Sequence, residues 1–310
     1  MTTCLITGEP SATLYSVQGL RQLSPRLKGL HPLPYSSEEQ RRLAAQMADK
    51  LSIGGVQPKF SAVLSPSAQR FEVVERNGRY ILKPPHPHFP EIPENEALTM
   101  DLARRAGVET PPFGLVPSSD GTFTYFVSRF DRHGKGAKYA VEDFAQLSKA
   151  SRNTKYRSSL EQVAGVIEAH CTFPLVEKVK LWRRVLVAFL TGNEDMHLKN
   201  YSLITAKGIT ELTPAYDLVN TTIVLAKVKE ESALPLRGKK SRWTHEDLVE
   251  HFASQRLNLR PLVIRRVLGE LRKALPAWRE RIERAHLSEP QKLAYLALLE
   301  QRARRLEIGV

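Results

Sequence analysis

A change of period along the chain is what most limits its fold. Between about residues 50 and 130 the apolar residues fall in short alternating segments, at Phe60–Leu64, Phe71–Glu75, Tyr80–Leu82 and Thr122–Phe130, and these read as β-strands. Asn77-Gly78 between the second and third segments predicts a hairpin joining them. Two helices belong to this part. One spans Ser37–Lys50, with Ser37 as its cap and Glu38 and Glu39 in its first turn. The other spans Pro93–Gly107, opened near a proline and stopped by a glycine. The later residues read mostly in helical period. Leu175–Thr191 is a long apolar-periodic helix stopped at Gly192, and residues 193–223 break into loops and short strands. A capping box is expected at Thr244–Asp247, opening helices interrupted at Pro261, Pro276 and Pro290.

Bulk properties close off several function classes. No apolar run approaches the ~18 residues of a membrane span, and Met1–Tyr15 lacks the pattern of a signal peptide. Cys4 and Cys171 are the only cysteines, which fits neither a disulfide framework nor a thiolate zinc site and agrees with a cytoplasmic protein. The net charge of +13 favours polyanionic partners, although a solvated basic surface accounts for it equally well. Residues 251–310, with 13 Lys/Arg against 6 Glu, carry much of that excess.

The strongest chemical signal is Gly192-Asn-Glu-Asp-Met-His-Leu-Lys-Asn200, directly after the long helix. Phosphoryl transfer needs a carboxylate near the attacking hydroxyl and oxygen ligands for the metal. Asp195 and Asn200 are five residues apart, the separation of base and metal-binding Asn in a kinase catalytic loop. Asp217, in Pro214-Ala-Tyr-Asp217, stands where a second metal-binding Asp is required, although no Phe-Gly follows it. Lys83 ends a strand and can neutralise phosphates, with Glu94 and Glu96 both open as its partner. In Ser52-Ile-Gly-Gly-Val-Gln-Pro-Lys59, Gly54 and Gly55 permit close approach of backbone amides to phosphate, but the segment fits neither standard phosphate-loop pattern.

In this order the motifs resemble the HipA family of bacterial kinase toxins. The resemblance is carried by Ser52–Lys59, Ile81-Leu-Lys-Pro84, Glu94-Asn-Glu96, Ser128-Arg-Phe-Asp-Arg132, Val141–Gln146, Gly192–Asn200 and Pro214–Asp217. It implies an α+β, two-lobed protein-kinase-like fold, with a small β-rich N-lobe and a larger, mostly helical C-lobe. The organisation expected is an N-terminal segment at 1–50, a small lobe at 51–132 with the Gly-rich loop and the ATP lysine, and a helical catalytic lobe at 133–310.

The resemblance also implies roles. Asp195 would be the base, and Asn200 and Asp217 the Mg²⁺ ligands. Lys83 would hold the ATP phosphates beneath Gly54, Gly55, Val56, Gln57 and Lys59. Ser128 to Phe130 would lie beside adenine, His197 and Lys199 would line the nucleotide, and Ser52 would be autophosphorylated. With 51 residues before Ser52, the chain is similar to the short HipT form, in which a separate small antitoxin resembles the missing N-terminal subdomain. A helix-turn-helix antitoxin would link the complex to DNA. The implied substrate is an aminoacyl-tRNA synthetase, the tryptophanyl enzyme by similarity to the short form. The competing readings are a small-molecule kinase on a similar scaffold and a DNA-binding repressor subunit.

Overall fold

A computed structural model describes residues 2–47, 57–134, 136–149, 154–225 and 230–309. The chain divides into two compact units. The first holds residues 1–101, 111–136 and 284–287, and the second holds 102–110, 137–283 and 288–310.

The first unit contains β1 (Thr2–Thr3), β2 (Pro10–Ser11), α1 (Val17–Leu23), α2 (Ser37–Met47), β3 (Phe60–Ser65), β4 (Arg70–Val73), β5 (Tyr80–Lys83), the start of α3 (Ile92–Arg105), β6 (Phe113–Pro117), β7 (Phe123–Ser128) and β8 (Arg132–His133). Five strands form an antiparallel sheet in the order β4-β3-β5-β7-β6. The first three residues of β3 are all buried, and Phe60 and Ala62 join Leu82 and Phe126 in one apolar cluster. Phe71 closes that cluster, with ring centroids 4.9 Å from Phe126 and 5.0 Å from Tyr80.

Two sequence expectations fail here. Asn77-Gly78 does not make a hairpin of β4 and β5, because β3 lies between them and pairs with both. The turn carries the chain across the end of β3, where Val74 and Arg79 donate from their backbone N–H groups to the carbonyls of Ser61 and Ala62. Asn77 adopts a left-handed φ of 59°, and a Cβ on Gly78 would lie 1.8 Å from Ser61 Oγ. This close approach, rather than a type I′ turn, is what the glycine allows. The cap of α2 is Ser36, not Ser37. Glu39 Oε2 accepts from Ser36 N at 2.7 Å and Ser36 Oγ from Glu39 N at 3.3 Å, a reciprocal box that needs the glutamate three residues on.

The first unit is completed by a distant piece of chain. Thr3 Oγ1 donates to the Arg284 carbonyl at 3.0 Å, His286 Nε2 donates to the Thr3 carbonyl at 3.2 Å, and the His286 ring packs on Phe123.

The second unit contains β9 (Ala137–Lys138), β10 (Ala140–Asp143), α4 (Phe144–Leu147), α5 (Leu160–His170), α6 (Pro174–Thr191), β11 (Ser202–Ala206), β12 (Ile209–Leu212), α7 (Thr221–Val224), a π-type helix at Glu246–Arg256, α8 (Pro261–Glu283) and α9 (Glu289–Arg305). Strands β10, β11 and β12 form an antiparallel sheet beside the helices. Helix α6 opens with Leu175 and Val176 exposed, but from Leu181 to Thr191 every residue except Arg183 is buried, so in this part its apolar residues run around it instead of along one stripe. Trp182 is fully buried and donates from Nε1 to the Leu248 carbonyl at 2.9 Å. Gly192 ends α6 in the left-handed region at φ 72°, its N–H turned back to Ala188 and Phe189. Arg302 Nη1 also donates to the Phe189 carbonyl, at 2.6 Å, so a buried cation meets the negative end of the helix.

The capping box at Thr244 and Asp247 forms. Pro261 and Pro290 stand at the expected interruptions, each at the start of a new helix, but Pro276 lies inside α8 without ending it. Leu275 and Trp278 on either side are buried while Pro276 is exposed, so packing outweighs the lost backbone hydrogen bond. Among the described residues, no helix is long and apolar enough to cross a membrane.

Candidate active site

The expected site residues fall into two sets, one in each unit. In the first, Lys83 ends the central strand β5 and is 6% exposed. Its Nζ donates to Glu96 Oε1 at 2.7 Å and lies 5.6 Å from the centroid of the Tyr125 ring. Two residues along a helix differ by ~200° in direction, so α3 cannot present Glu94 and Glu96 to the same lysine, and the structure selects Glu96. A strand lysine paired with a helix glutamate is the arrangement protein kinases use to present the lysine to phosphates. The Glu94 carboxyl is pushed up to about 8 by burial, and its Oε2 is out of solvent with no hydrogen-bond partner among the described residues.

Ser128 ends β7 opposite Tyr80, and both Ser128 and Phe130 are half-buried. Between them, Arg129 forks onto Asp131 at 2.9 and 2.7 Å. Gln57 and Lys59 are half-buried, and Gln57 Nε2 is buried without a hydrogen-bond partner among the described residues. Ser52, Gly54, Gly55 and Val56 lie outside the described residues.

In the second unit, the left-handed turn at Gly192 releases the chain from α6 into the loop that carries Asp195. The Asp195 carbonyl accepts from His197 N at 2.9 Å and from Asn200 Nδ2 at 2.8 Å. The loop then tightens into a 3₁₀ turn at Leu198–Asn200. Because its nitrogen is held by that carbonyl, Asn200 keeps Oδ1 as the atom available for a cation, an orientation assigned from the hydrogen-bond network.

The Asp195 side chain is 54% exposed, and its Oδ1 accepts from the Tyr156 hydroxyl at 2.9 Å. His197 is buried, with Nε2 4.0 Å from Asp195 Oδ2 and 2.6 Å from Lys155 Nζ. Burial lowers the His197 pKa and outweighs the attraction of Asp195, so the ring is neutral. Lys199 is more exposed, 4.0 Å from Asp143 Oδ2 at the head of α4.

Asp217 holds a left-handed φ of 59°, a cost for a non-glycine residue that persists where its surroundings impose it. The preceding Tyr216 ties this segment to the loop. Its hydroxyl donates to the Lys199 carbonyl at 2.9 Å and accepts from Ser202 Oγ at 2.6 Å. The charge of Asp217 reaches His197, where it favours the protonated ring. Asp195, His197, Asn200 and the Asp217 segment are thus brought together, Lys199 sits at their margin, and Lys83 lies in the other unit. Sequence reasoning missed Lys155 and Tyr156, which follow no periodic pattern and match no motif.

The donors fit Mg²⁺. Asn200 Oδ1 and the Asp217 carboxylate are hard oxygens, the ligand type this ion takes. Among the described residues, no three His, Cys, Asp or Glu side chains converge into a metal cage.

The model of the family described as HipA-like C-terminal domain matches residues 51–278. The chain belongs to this family. A Haemophilus influenzae relative, named "Putative kinase", is 31% identical over 220 residues, 67% of this chain and 64% of that one. The serine/threonine-protein kinase toxin HipA of Shewanella oneidensis is 28% identical over 191 residues, 55% of this chain and 43% of that one. The chain therefore spans about two thirds or less of these relatives' lengths. The Shewanella HipA structure, solved with HipB and operator DNA, is similar at a TM-score of 0.68 and 22% identity, covering 90% of this chain and 74% of that one. The fold is accordingly the α+β kinase-like fold of the HipA proteins, with a sheet-based small unit.

Proposed function

We propose that this chain is an ATP- and Mg²⁺-dependent serine/threonine protein kinase acting as the toxin of a toxin–antitoxin system. The observation that carries the reading is the Asp195–Asn200 loop, in which one backbone carbonyl orients Asn200 while the Asp195 carboxylate remains accessible to a substrate. The buried Lys83–Glu96 pair supports it.

In this reading residues 51–132 are the nucleotide lobe and 133–310 the catalytic lobe, after an N-terminal segment at 1–50. Lys83 neutralises the ATP phosphates beneath Gly54, Gly55, Val56, Gln57 and Lys59, and Ser128 to Phe130 lie beside adenine. His197 and Lys199 line the nucleotide, and Asn200 and Asp217 hold Mg²⁺. The bound ion supplies charge neutralisation at the phosphates. The acceptor hydroxyl forms its bond to the γ-phosphorus as the bond to the bridging oxygen breaks. Asp195 takes the hydroxyl proton and ADP leaves.

The resemblance supports an aminoacyl-tRNA synthetase as substrate, tryptophanyl above others, and Ser52 as a site of autophosphorylation. A phosphate at Ser52 would carry ~−2 charge and repel ATP phosphates. That the Shewanella HipA was solved with HipB and operator DNA supports an antitoxin partner here, with DNA reached through the complex.

The test is phosphoproteomics after a short induction of the wild type and of Asp195→Asn. One phosphoserine on a synthetase, with growth arrest, in the wild type alone is the expected result. Label confined to small molecules would replace protein with metabolite as acceptor, and arrest by both chains would exclude catalysis.

A further inference from the structure

Beside the catalytic loop lies a segment that the roles above do not use. Lys155 and Tyr156 precede α5 and engage three residues of the loop. The Tyr156 hydroxyl donates to Asp195 Oδ1 at 2.9 Å. The Tyr156 ring stands edge-on to His197, 5.1 Å between centroids at 82°. Lys155 Nζ donates to His197 Nε2 at 2.6 Å, which sets that nitrogen as the acceptor and places the ring proton on Nδ1. The Lys155 carbonyl accepts from Leu198 N at 3.3 Å. Finally, Lys155 Nζ lies 4.8 Å from the centroid of the Tyr156 ring, so the two side chains brace each other.

These contacts fall where the loop itself provides least. The backbone of Asp195 is fixed by His197 and Asn200, but its carboxylate is more than half exposed. Among the described residues, the Tyr156 hydroxyl makes the hydrogen bond that holds it. A base whose carboxylate swings freely spends little time aligned with an acceptor hydroxyl, and misplacement of about 1 Å can cost on the order of 100-fold in rate. With Oδ1 occupied by the tyrosine, Oδ2 is the oxygen left to receive a proton.

Tyr156 is 42% exposed and Lys155 half-buried, so neither is a large part of the core. We propose that Tyr156 and Lys155 are positioning residues for phosphoryl transfer, Tyr156 orienting the Asp195 carboxylate and Lys155 the His197 ring. The proposal rests on the reading of Asp195 as the base.

The test uses the full chain, γ-labelled ATP with Mg²⁺, and a lysate as acceptor, with initial rates measured over a range of ATP concentrations. Tyr156→Phe removes one oxygen and keeps the ring. It is expected to lower kcat about 10- to 100-fold, the range for losing a hydrogen bond to a charged group. The KM for ATP and the melting temperature stay at wild-type values. Lys155→Met lowers kcat in the same way, and Lys155→Arg recovers part of the loss. A Tyr156→Phe rate within about twofold of wild type, far inside the range for such a bond, overturns the proposal. A faster rate also overturns it, because the hydroxyl would then be competing with the acceptor. Asp195→Asn is run alongside. If it is inactive while Tyr156→Phe is normal, only the positioning role falls. An active Asp195→Asn chain, or an inactive wild type, removes the base assignment and this inference together.

Discussion

The buried Lys83–Glu96 pair separates what a residue does for stability from what it does for phosphate. Replacing Glu96 with Ala removes the carboxylate 2.7 Å from an ammonium whose side chain is 7% exposed. Breaking a buried pair from one side costs about 3–5 kcal/mol, because a charge stays behind in a place water does not reach. At about 2–4 °C per kcal/mol, the transition of the first unit should fall by at least about 6 °C. The informative partner is the double change Lys83→Met with Glu96→Leu, which removes both charges and keeps the volume. An apolar replacement of this kind is often neutral or stabilising, so the double variant should melt within about 1 kcal/mol of wild type or above it. Its affinity for ATP should nevertheless be lost. Differential scanning calorimetry and isothermal titration with Mg²⁺–ATP read the two properties separately. A Glu96→Ala chain that melts like wild type would refute the burial argument. A double variant that still binds ATP at wild-type affinity would refute the assignment of Lys83 to phosphate.

Two further outcomes follow from single residues. A Cβ on Gly192 would lie 2.5 Å from Leu298 Cδ2 and 2.6 Å from Asn220 Oδ1, at a left-handed φ. Gly192→Ala should therefore cost about 2 kcal/mol or more in urea unfolding, from strain and overpacking together, and wild-type stability would show that the turn relaxes freely. Burial raises the Glu94 carboxyl from an ordinary 4.5 to about 8, so above pH 5 the folded chain keeps a proton that the unfolded chain releases. Stability then falls as pH rises through that window, and Glu94→Gln removes the loss, gaining about 1–3 kcal/mol over wild type between pH 5 and 8. A melting difference that stays constant with pH would contradict the buried carboxyl.

Much of the fold was legible because its signals are local. The end of α6 at Gly192 follows from one glycine after a run of apolar residues, and the strands follow from alternation. The errors arose where distant chain decides. Asn77-Gly78 has the composition of a hairpin turn, but β3 intervenes, and pairing with β3 satisfies both neighbours. Pro276 reads as a break, but burial of Leu275 and Trp278 holds the helix through it. The candidate site divides in the same way. Asp195 and Asn200 are visible as a spacing within one loop. The choice of Glu96 over Glu94 needs the rotation of α3 against β5, and Tyr156 needs the fold to bring a chain segment 39 residues away onto Asp195.

The contact of Thr3 with Arg284 and His286 has a consequence for biosynthesis. The ribosome delivers Thr3 well before its partner Arg284, which lies 281 residues further along the chain. These bonds of the first unit therefore form only after residues 137–283 of the second unit have been made. A chain interrupted before residue 284 would leave Thr3 without these bonds, so this corner of the first unit is closed by residues made long after it.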